Sequence, residues 1–200
     1  MLTPGLSSSF LEQAEEQKRV VRKKYNLPEK FVLFLGTIEP RKNIVALTEA
    51  FALSRSKKNG YELVIAGASG WKYQCSLDAI EKTDGVRSIG YVASEDKNTL
   101  YQMADLFVYP SLYEGFGLPV LESMACGTPV ITSDRSSLPE VVGRAALLVN
   151  PHDTRDIADT IDMVLLDRAL YRELSQRGKV RASAFSWQKA VRQWLVFVQS

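Results

Sequence analysis

Histidine and cysteine are nearly missing from this sequence. Its 200 residues include one histidine, His152, and two cysteines, Cys75 and Cys126. Neither cysteine has a His or Cys partner at ligand spacing, which excludes a disulfide framework and argues against a structural zinc site. A reducing, cytoplasmic setting is the expectation. No apolar run approaches the length of about 18 residues that suggests a membrane span, and no signal-peptide pattern is seen. Excess charge is lacking too. Twenty-five Lys and Arg face 23 Asp and Glu, for a formal net charge of +2, so a nucleic-acid partner has no bulk electrostatic support. The basic run Lys18, Arg19, Arg22, Lys23 and Lys24 follows Glu12, Glu15 and Glu16. Acids early and bases late suit a solvated helix better than a phosphate-binding patch.

The chain is 46% hydrophobic and 24% charged, enough for one well-packed domain. Pro4-Gly5 and the serines Ser7 to Ser9 read as an interdomain linker rather than a first strand, which suggests a piece of a longer protein. A helix is expected from Phe10 to Tyr25. The apolar run 31–36 is closed by Gly36 and has the composition of a central strand buried on both faces. A helix capped by Asn43 should follow, with Leu47, Ala50, Phe51 and Ser54 on one face. Further strands are expected at 61–66, 86–90, 106–109, 130–132 and 146–149. Helices are expected at 73–82, at 95–104 with Ser94 as cap, from Pro119, at 138–142, at 155–166 capped by Asp153 or Thr154, and at 169–183. Strand and helix alternate throughout. The predicted fold is therefore α/β: a doubly wound parallel sheet with helices on both faces. The expected division is 1–28 linker and N-terminal helix, 29–184 Rossmann-like domain, and 185–200 C-terminal crossover helix.

Glycine-rich turns close several strands, at the edge where such sheets bind ligands. Gly36-Thr37-Ile38-Glu39-Pro40-Arg41-Lys42-Asn43 leaves a buried strand and enters a helix, whose start carries unpaired N–H groups. Arg41 and Lys42 add two cations there, so a diphosphate would be well held; the plainer alternative is a surface basic pair. Neither G-x-x-x-x-G-K-[ST] nor G-x-G-x-x-G is present, which disfavours a P-loop or a dinucleotide cofactor. In the segment 113–130, Glu114 and Glu122 stand eight residues apart across Gly115 and Gly117. The two carboxylates can accept hydrogen bonds from sugar hydroxyls. A general acid/base pair for glycoside hydrolysis remains an alternative, as do a solvated turn acid and a helix-start acid. Hydrolysis gives Arg41 and Lys42 no task, whereas a nucleotide-sugar donor uses acids and bases together. Gly67-Ala68-Ser69-Gly70 and Gly90-Tyr91-Val92 close two further strands. Tyr91, Trp71 and Tyr113 are large enough to stack on a ligand or simply to pack a loop.

These residues resemble a known family. Glu114 to Glu122 is similar to the E-x7-E element of retaining glycosyltransferases of family 4, which have the GT-B fold. Gly36 to Asn43 resembles their phosphate-binding turn, and Gly90-Tyr91-Val92 and Phe185-Ser186-Trp187 also fit. The resemblance implies the C-terminal, donor-binding half of such an enzyme, inactive as an isolated fragment. It implies that Lys42 and Arg41 neutralise the pyrophosphate of a GDP- or UDP-sugar, with no cofactor and no metal. Glu122 would hold the ribose. Glu114 would contact the donor sugar, and the backbone of Phe116, Gly117 and Leu118 would support its hydroxyls and phosphate. Gly36, Thr37 and Gly67 would border the donor, and Tyr91 and Val92 would lie by the base. Thr37 departs from the family pattern, which has Arg there in many members. The acceptor, a saccharide or a lipid-linked one, would bind through a missing N-terminal domain, which places the full enzyme in the cytoplasm or peripherally at the inner face of the membrane. Mannosyl transfer from GDP-mannose is slightly favoured over UDP-glucose, within polysaccharide biosynthesis. A non-catalytic nucleotide-sugar-binding or assembly module and a sugar-nucleotide epimerase are the competing readings. Val191, Trp194, Leu195 and Val198 form an apolar face expected to be exposed or to pair with a second copy in a homodimer.

Overall fold

The apolar run after Lys30 becomes β1 (Phe31–Leu35), buried at every position. A strand enclosed on both faces reads as continuous hydrophobics because helices cover it on either side. In the computed structural model, residue 6, residues 13–187 and residues 191–192 are described. They contain a six-stranded sheet in the order β3-β2-β1-β4-β5-β6. The other strands are β2 (Glu62–Ala66), β3 (Val86–Gly90), β4 (Leu106–Tyr109), β5 (Val130–Ser133) and β6 (Leu147–Val149). All pairings are parallel. This is the doubly wound order in which chain direction across the sheet reverses between β1 and β4, and the crevice beyond their carboxyl ends is the expected ligand site.

Helices α2 (Ile44–Leu53) and α3 (Gln74–Lys82) cross between the first three strands, and α7 (Thr154–Leu166) packs beside α2. On the other face, α5 (Leu118–Ala125) packs against α4 (Lys97–Met103), α6 (Leu138–Val142) and α8 (Arg168–Ala182). Helix α1 (Glu15–Lys24) lies against α4. The predicted start of α1 at Phe10 falls outside the described residues, as do Pro4-Gly5, the serine stretch and, of the apolar C-terminal face, Trp194, Leu195 and Val198. Val191 is described and exposed.

Buried aromatics form much of the core near the switch point. Phe34 and Tyr109 stack with centroids 5.5 Å apart, Tyr109 and Phe107 follow at 5.7 Å, and Tyr101 meets Phe107 edge-on at 5.4 Å. Truncating one such ring to alanine removes about 3–5 kcal/mol. A further staple is Asp162, whose carboxylate accepts from the Ser54 and Ser56 hydroxyls and from the backbone N–H groups of Arg55 and Ser56 at 2.6–2.9 Å. It ties α7 to the end of α2.

Three local expectations need correction. Asn43 does not cap α2 with its side chain. It sits in the left-handed region at φ 59°, and its amide donates instead to the carbonyls of Pro110 and Pro151 at 3.2 and 2.7 Å. Crosslinking two strand-end loops outcompetes the cap, and a short 3-10 helix, Pro40–Lys42, precedes α2. Ser94 does not cap α4, which begins only at Lys97 after Asp96. Residues 94–96 form a turn, while Asp96 is buried against Lys24 and Tyr25, at 2.6 and 2.8 Å. Pro119 is the second residue of α5, because Leu118 is the first.

Candidate active site

The loops after β1 and β2 continue to pair beyond their strands. Ile38 N–H donates to the Ala68 carbonyl and Gly70 N–H to the Ile38 carbonyl, both at 2.9 Å. This brings the backbones so close that a Cβ on Gly67, at φ 145°, would lie 1.9 Å from the Gly36 carbonyl oxygen. Only glycine fits. The loop after β4 is held from another side. Ser136 and Ser137 donate to the Glu114 carbonyl at 2.6 and 3.0 Å, and Ser137 also donates to the Phe116 carbonyl at 3.1 Å. Gly117 turns this loop into α5 at φ 98°, where a Cβ would meet Leu138 at 2.7 Å.

These loops enclose a cleft of about 520 Å³ at the carboxyl end of the sheet. Every predicted donor-site residue lines it: Gly36, Thr37, Gly67, Tyr91, Val92, Glu114, Phe116, Gly117, Leu118 and Glu122, together with Lys42. Arg41 does not. Its guanidinium, 40% exposed, reaches Glu114 Oε2 at 3.0 Å and Glu39 Oε1 at 2.6 Å, and donates to the Tyr113 carbonyl at 3.1 Å. Trp71 and Tyr113 are exposed and stand outside the cleft lining, and His152 is exposed on a loop.

Lys42 and Glu114 form the charged centre. Both are buried, and Lys42 Nζ lies 2.5 Å from Glu114 Oε1. Lys42 also donates to the Tyr109 hydroxyl and sits over its ring, 4.8 Å from the centroid. Burial pulls the Lys42 ammonium below its ordinary pKa against the opposing pull of Glu114. Burial works to raise the Glu114 carboxyl, but Lys42, Ser111 and Arg41 together outweigh it and hold the group below the usual carboxylate range. The Tyr109 phenol is pushed up by burial and by the Glu114 charge, which keeps it protonated.

At the other end, Tyr101 donates its hydroxyl to Glu122 Oε2 at 3.0 Å. Burial, then the Glu122 charge, pushes the phenol of Tyr101 up. The two glutamates of the 114–122 segment are thus each met by a tyrosine from the same aromatic stack, Tyr109 at the Lys42–Glu114 pair and Tyr101 at Glu122. Sequence reasoning missed both tyrosines, along with Ser136, Ser137, Leu35, Lys97 and Pro119. Tyr109 closes β4 immediately before Pro110, at the edge where a cleft side chain belongs, and that position was a usable signal. Ser136 and Ser137 carried none. Among the described residues no cluster of three or more His, Cys, Asp or Glu could hold a metal ion, and no helix is long and apolar enough to cross a membrane.

Comparison with known proteins decides the family. The family model for glycosyl transferases group 1 matches residues 15–181. This chain belongs to that family. Among curated relatives, O-antigen chain mannosyltransferase B of Escherichia coli is 40% identical over 192 residues, covering 94% of this chain and 50% of the relative. The sucrose-phosphate synthase structure from Thermosynechococcus elongatus superposes with a TM-score of 0.81 at 30% identity, over 99% of this chain and 51% of that one. Anabaena HepE, solved in complex with UDP-glucose, gives 0.85 at 19% identity, over 98% of this chain and 56% of its own. The group 1 glycosyl transferase chain therefore spans about half the length of these matches. The six-stranded parallel sheet is the Rossmann-like half of a GT-B architecture.

Proposed function

We propose that this chain is the donor-binding half of a retaining glycosyltransferase. The full enzyme moves a hexosyl unit from a nucleoside diphosphate sugar to a saccharide or lipid-linked acceptor. The observation that carries this is the buried Lys42–Glu114 pair at the β1/β4 switch point, in one cleft with Glu122 and the start of α5. Departure of a nucleoside diphosphate develops negative charge on the β-phosphate. Lys42 supplies a fixed cation there, and Leu118 opens α5 with an N–H that has no intrahelical acceptor. Such preorganised charge is worth most at a developing anion. Arg41 acts at one remove, holding Glu114 and being held by Glu39. This assigns leaving-group neutralisation to protein groups rather than to a metal.

Glu114 has its acceptor capacity divided between cations and the cleft, and we assign it to the donor sugar as a hydroxyl reader. A covalent nucleophile would need to leave Lys42 and Arg41; same-face transfer by the departing phosphate needs no such movement. Glu122, anchored by Tyr101 through one oxygen, has the other for the ribose hydroxyls. The mannosyltransferase relatives favour GDP-mannose over UDP-glucose. The O-antigen relatives support a role in polysaccharide biosynthesis, and we assign the full enzyme to the cytoplasm or the inner membrane face, with the acceptor bound by a further domain. Replacing Lys42 with Ala and titrating GDP and guanosine tests the assignment. A larger loss for GDP than for guanosine is expected; equal losses would remove the role of Lys42.

A further inference from the structure

The chain is nearly neutral overall, at +2, but its bases are not spread evenly. Helix α8 carries Arg168, Arg172, Arg177, Lys179 and Arg181 against a single acid, Glu173. Arg177 and Arg181 are four residues apart, hence on one helix face. They line a groove of about 580 Å³ between α8 and the loop that leaves α6, and Arg144 of that loop lines it too. The groove shares no lining residue with the donor cleft.

The three guanidiniums differ in how they are held. Arg181 is anchored: Nε donates to the Val141 carbonyl at 2.8 Å and Nη2 to the Glu140 carbonyl at 2.6 Å. Its guanidinium also lies over the Phe185 ring, 4.8 Å from the centroid. These contacts satisfy the end of α6 and leave the Nη1 donors without a partner among the described residues. Arg177 meets Glu173 at 2.6 Å in a pair whose side chains are both about half exposed. Such a pair contributes at most about 1 kcal/mol and yields to a stronger anion. Arg144 is exposed, with no partner among the described residues. Three cations and one carboxylate around one groove leave positive charge that a bound anion offsets. The lining also includes the apolar Val142, Ala145 and Val180, the last 68% exposed.

We propose that this groove binds a phosphate ester. Arg144, Arg177 and Arg181 hold the phosphate, and Val142, Ala145 and Val180 meet the carbon skeleton attached to it. Guanidinium forks match phosphate oxygens with paired hydrogen bonds. No aromatic side chain lines the groove, so a nucleobase has nothing to stack on, and the ligand class is a simple phosphoester. A free metabolite and a phospholipid headgroup both present that chemistry.

The test uses calorimetric titration with glycerol 1-phosphate, and flotation with phosphatidylcholine vesicles made with and without phosphatidylglycerol. Both are run on the chain, on the groove variant Arg144→Ala with Arg177→Ala, and on the control Arg168→Ala with Arg172→Ala. The control removes as much exposed charge from outside the groove; Arg181 is left in place because it holds the end of α6. The chain is expected to bind in at least one assay. The groove variant should bind at least about tenfold more weakly, the value of a lost charge-assisted hydrogen bond, and the control within about twofold of the parent. Saturation by glycerol 1-phosphate without flotation identifies a free phosphoester. Flotation that needs phosphatidylglycerol and is reversed by glycerol 1-phosphate identifies a headgroup. No binding in either assay, an unchanged groove variant, or equal losses in groove variant and control would overturn the proposal. GDP titrated into the groove variant should bind as it does to the parent. A chain that takes the phosphoester but not GDP would overturn the donor-site reading and leave this one standing.

Discussion

Removing Lys42 exposes the energetics of the centre. Lys42 and Glu114 are 5% and 7% exposed, so solvent screens their 2.5 Å contact little. Taking away one partner of a buried ion pair costs about 3–5 kcal/mol when the other is stranded. Here Glu114 keeps Arg41 at 3.0 Å, which puts Lys42→Met near the low end, at about 3 kcal/mol. Glu114→Gln leaves Lys42 with the Tyr109 hydroxyl as its remaining anchor, and about 3 kcal/mol is expected there too. The double variant removes both charges together and should lose less than the sum, with a coupling of about 2 kcal/mol. Urea unfolding at pH 7 measures each corner of the cycle, provided that the denaturant slope stays constant. The acid limb gives a second reading. Glu114 has a depressed pKa when folded, so its contribution is full above the unfolded value of about 4.3 and is lost as pH falls through the folded one. Glu114→Gln should flatten that loss. Additivity within about 0.5 kcal/mol would refute the coupled-pair account.

Other outcomes follow from single contacts. Tyr101→Phe deletes the hydroxyl held by Glu122 and should cost about 1–2 kcal/mol of stability, read from thermal or urea midpoints; no loss would mean that the hydroxyl leaves Glu122 indifferent. Gly67→Ala forces a Cβ to 1.9 Å from the Gly36 carbonyl oxygen and should destabilise by at least about 2 kcal/mol, whereas Gly115→Ala meets open space and should be close to neutral in the same melt. The pKa of Asp162 lies below its ordinary value because hydrogen bonds from Ser54, Ser56 and the Arg55 backbone overcome the penalty of burial. Its stabilisation is therefore full above about pH 4 and lost as pH falls through the folded value. In Asp162→Asn, the difference in urea midpoint between pH 7 and pH 3 should shrink, and an unchanged difference would contradict this.

The sheet and most of the cleft lining were legible because the strands are continuous apolar runs and their closing glycines mark the ligand edge. Periodicity and turn chemistry are local signals, and β1, β4 and the 113–118 loop carry them. What failed was decided across the fold. Asn43 looks like a cap, yet two carbonyls from distant loops claim its amide. Ser94 looks like a cap, but Asp96 is the last residue before α4 and is fixed by Lys24 and Tyr25 from α1 and its end. Arg41 and Lys42 are adjacent and chemically alike, and only the turn Pro40–Lys42 sends Lys42 inward and Arg41 to Glu39 and Glu114. Lys97 gave no signal because a lysine at a helix start is ordinary until the cleft beside it is known.

The central claim is that the cleft binds a nucleoside diphosphate. Titrating GDP and UDP to millimolar concentration into the folded chain, followed by calorimetry, tests it most directly. The account predicts saturable binding, tighter for GDP. A folded chain that binds neither nucleotide at that concentration would contradict it.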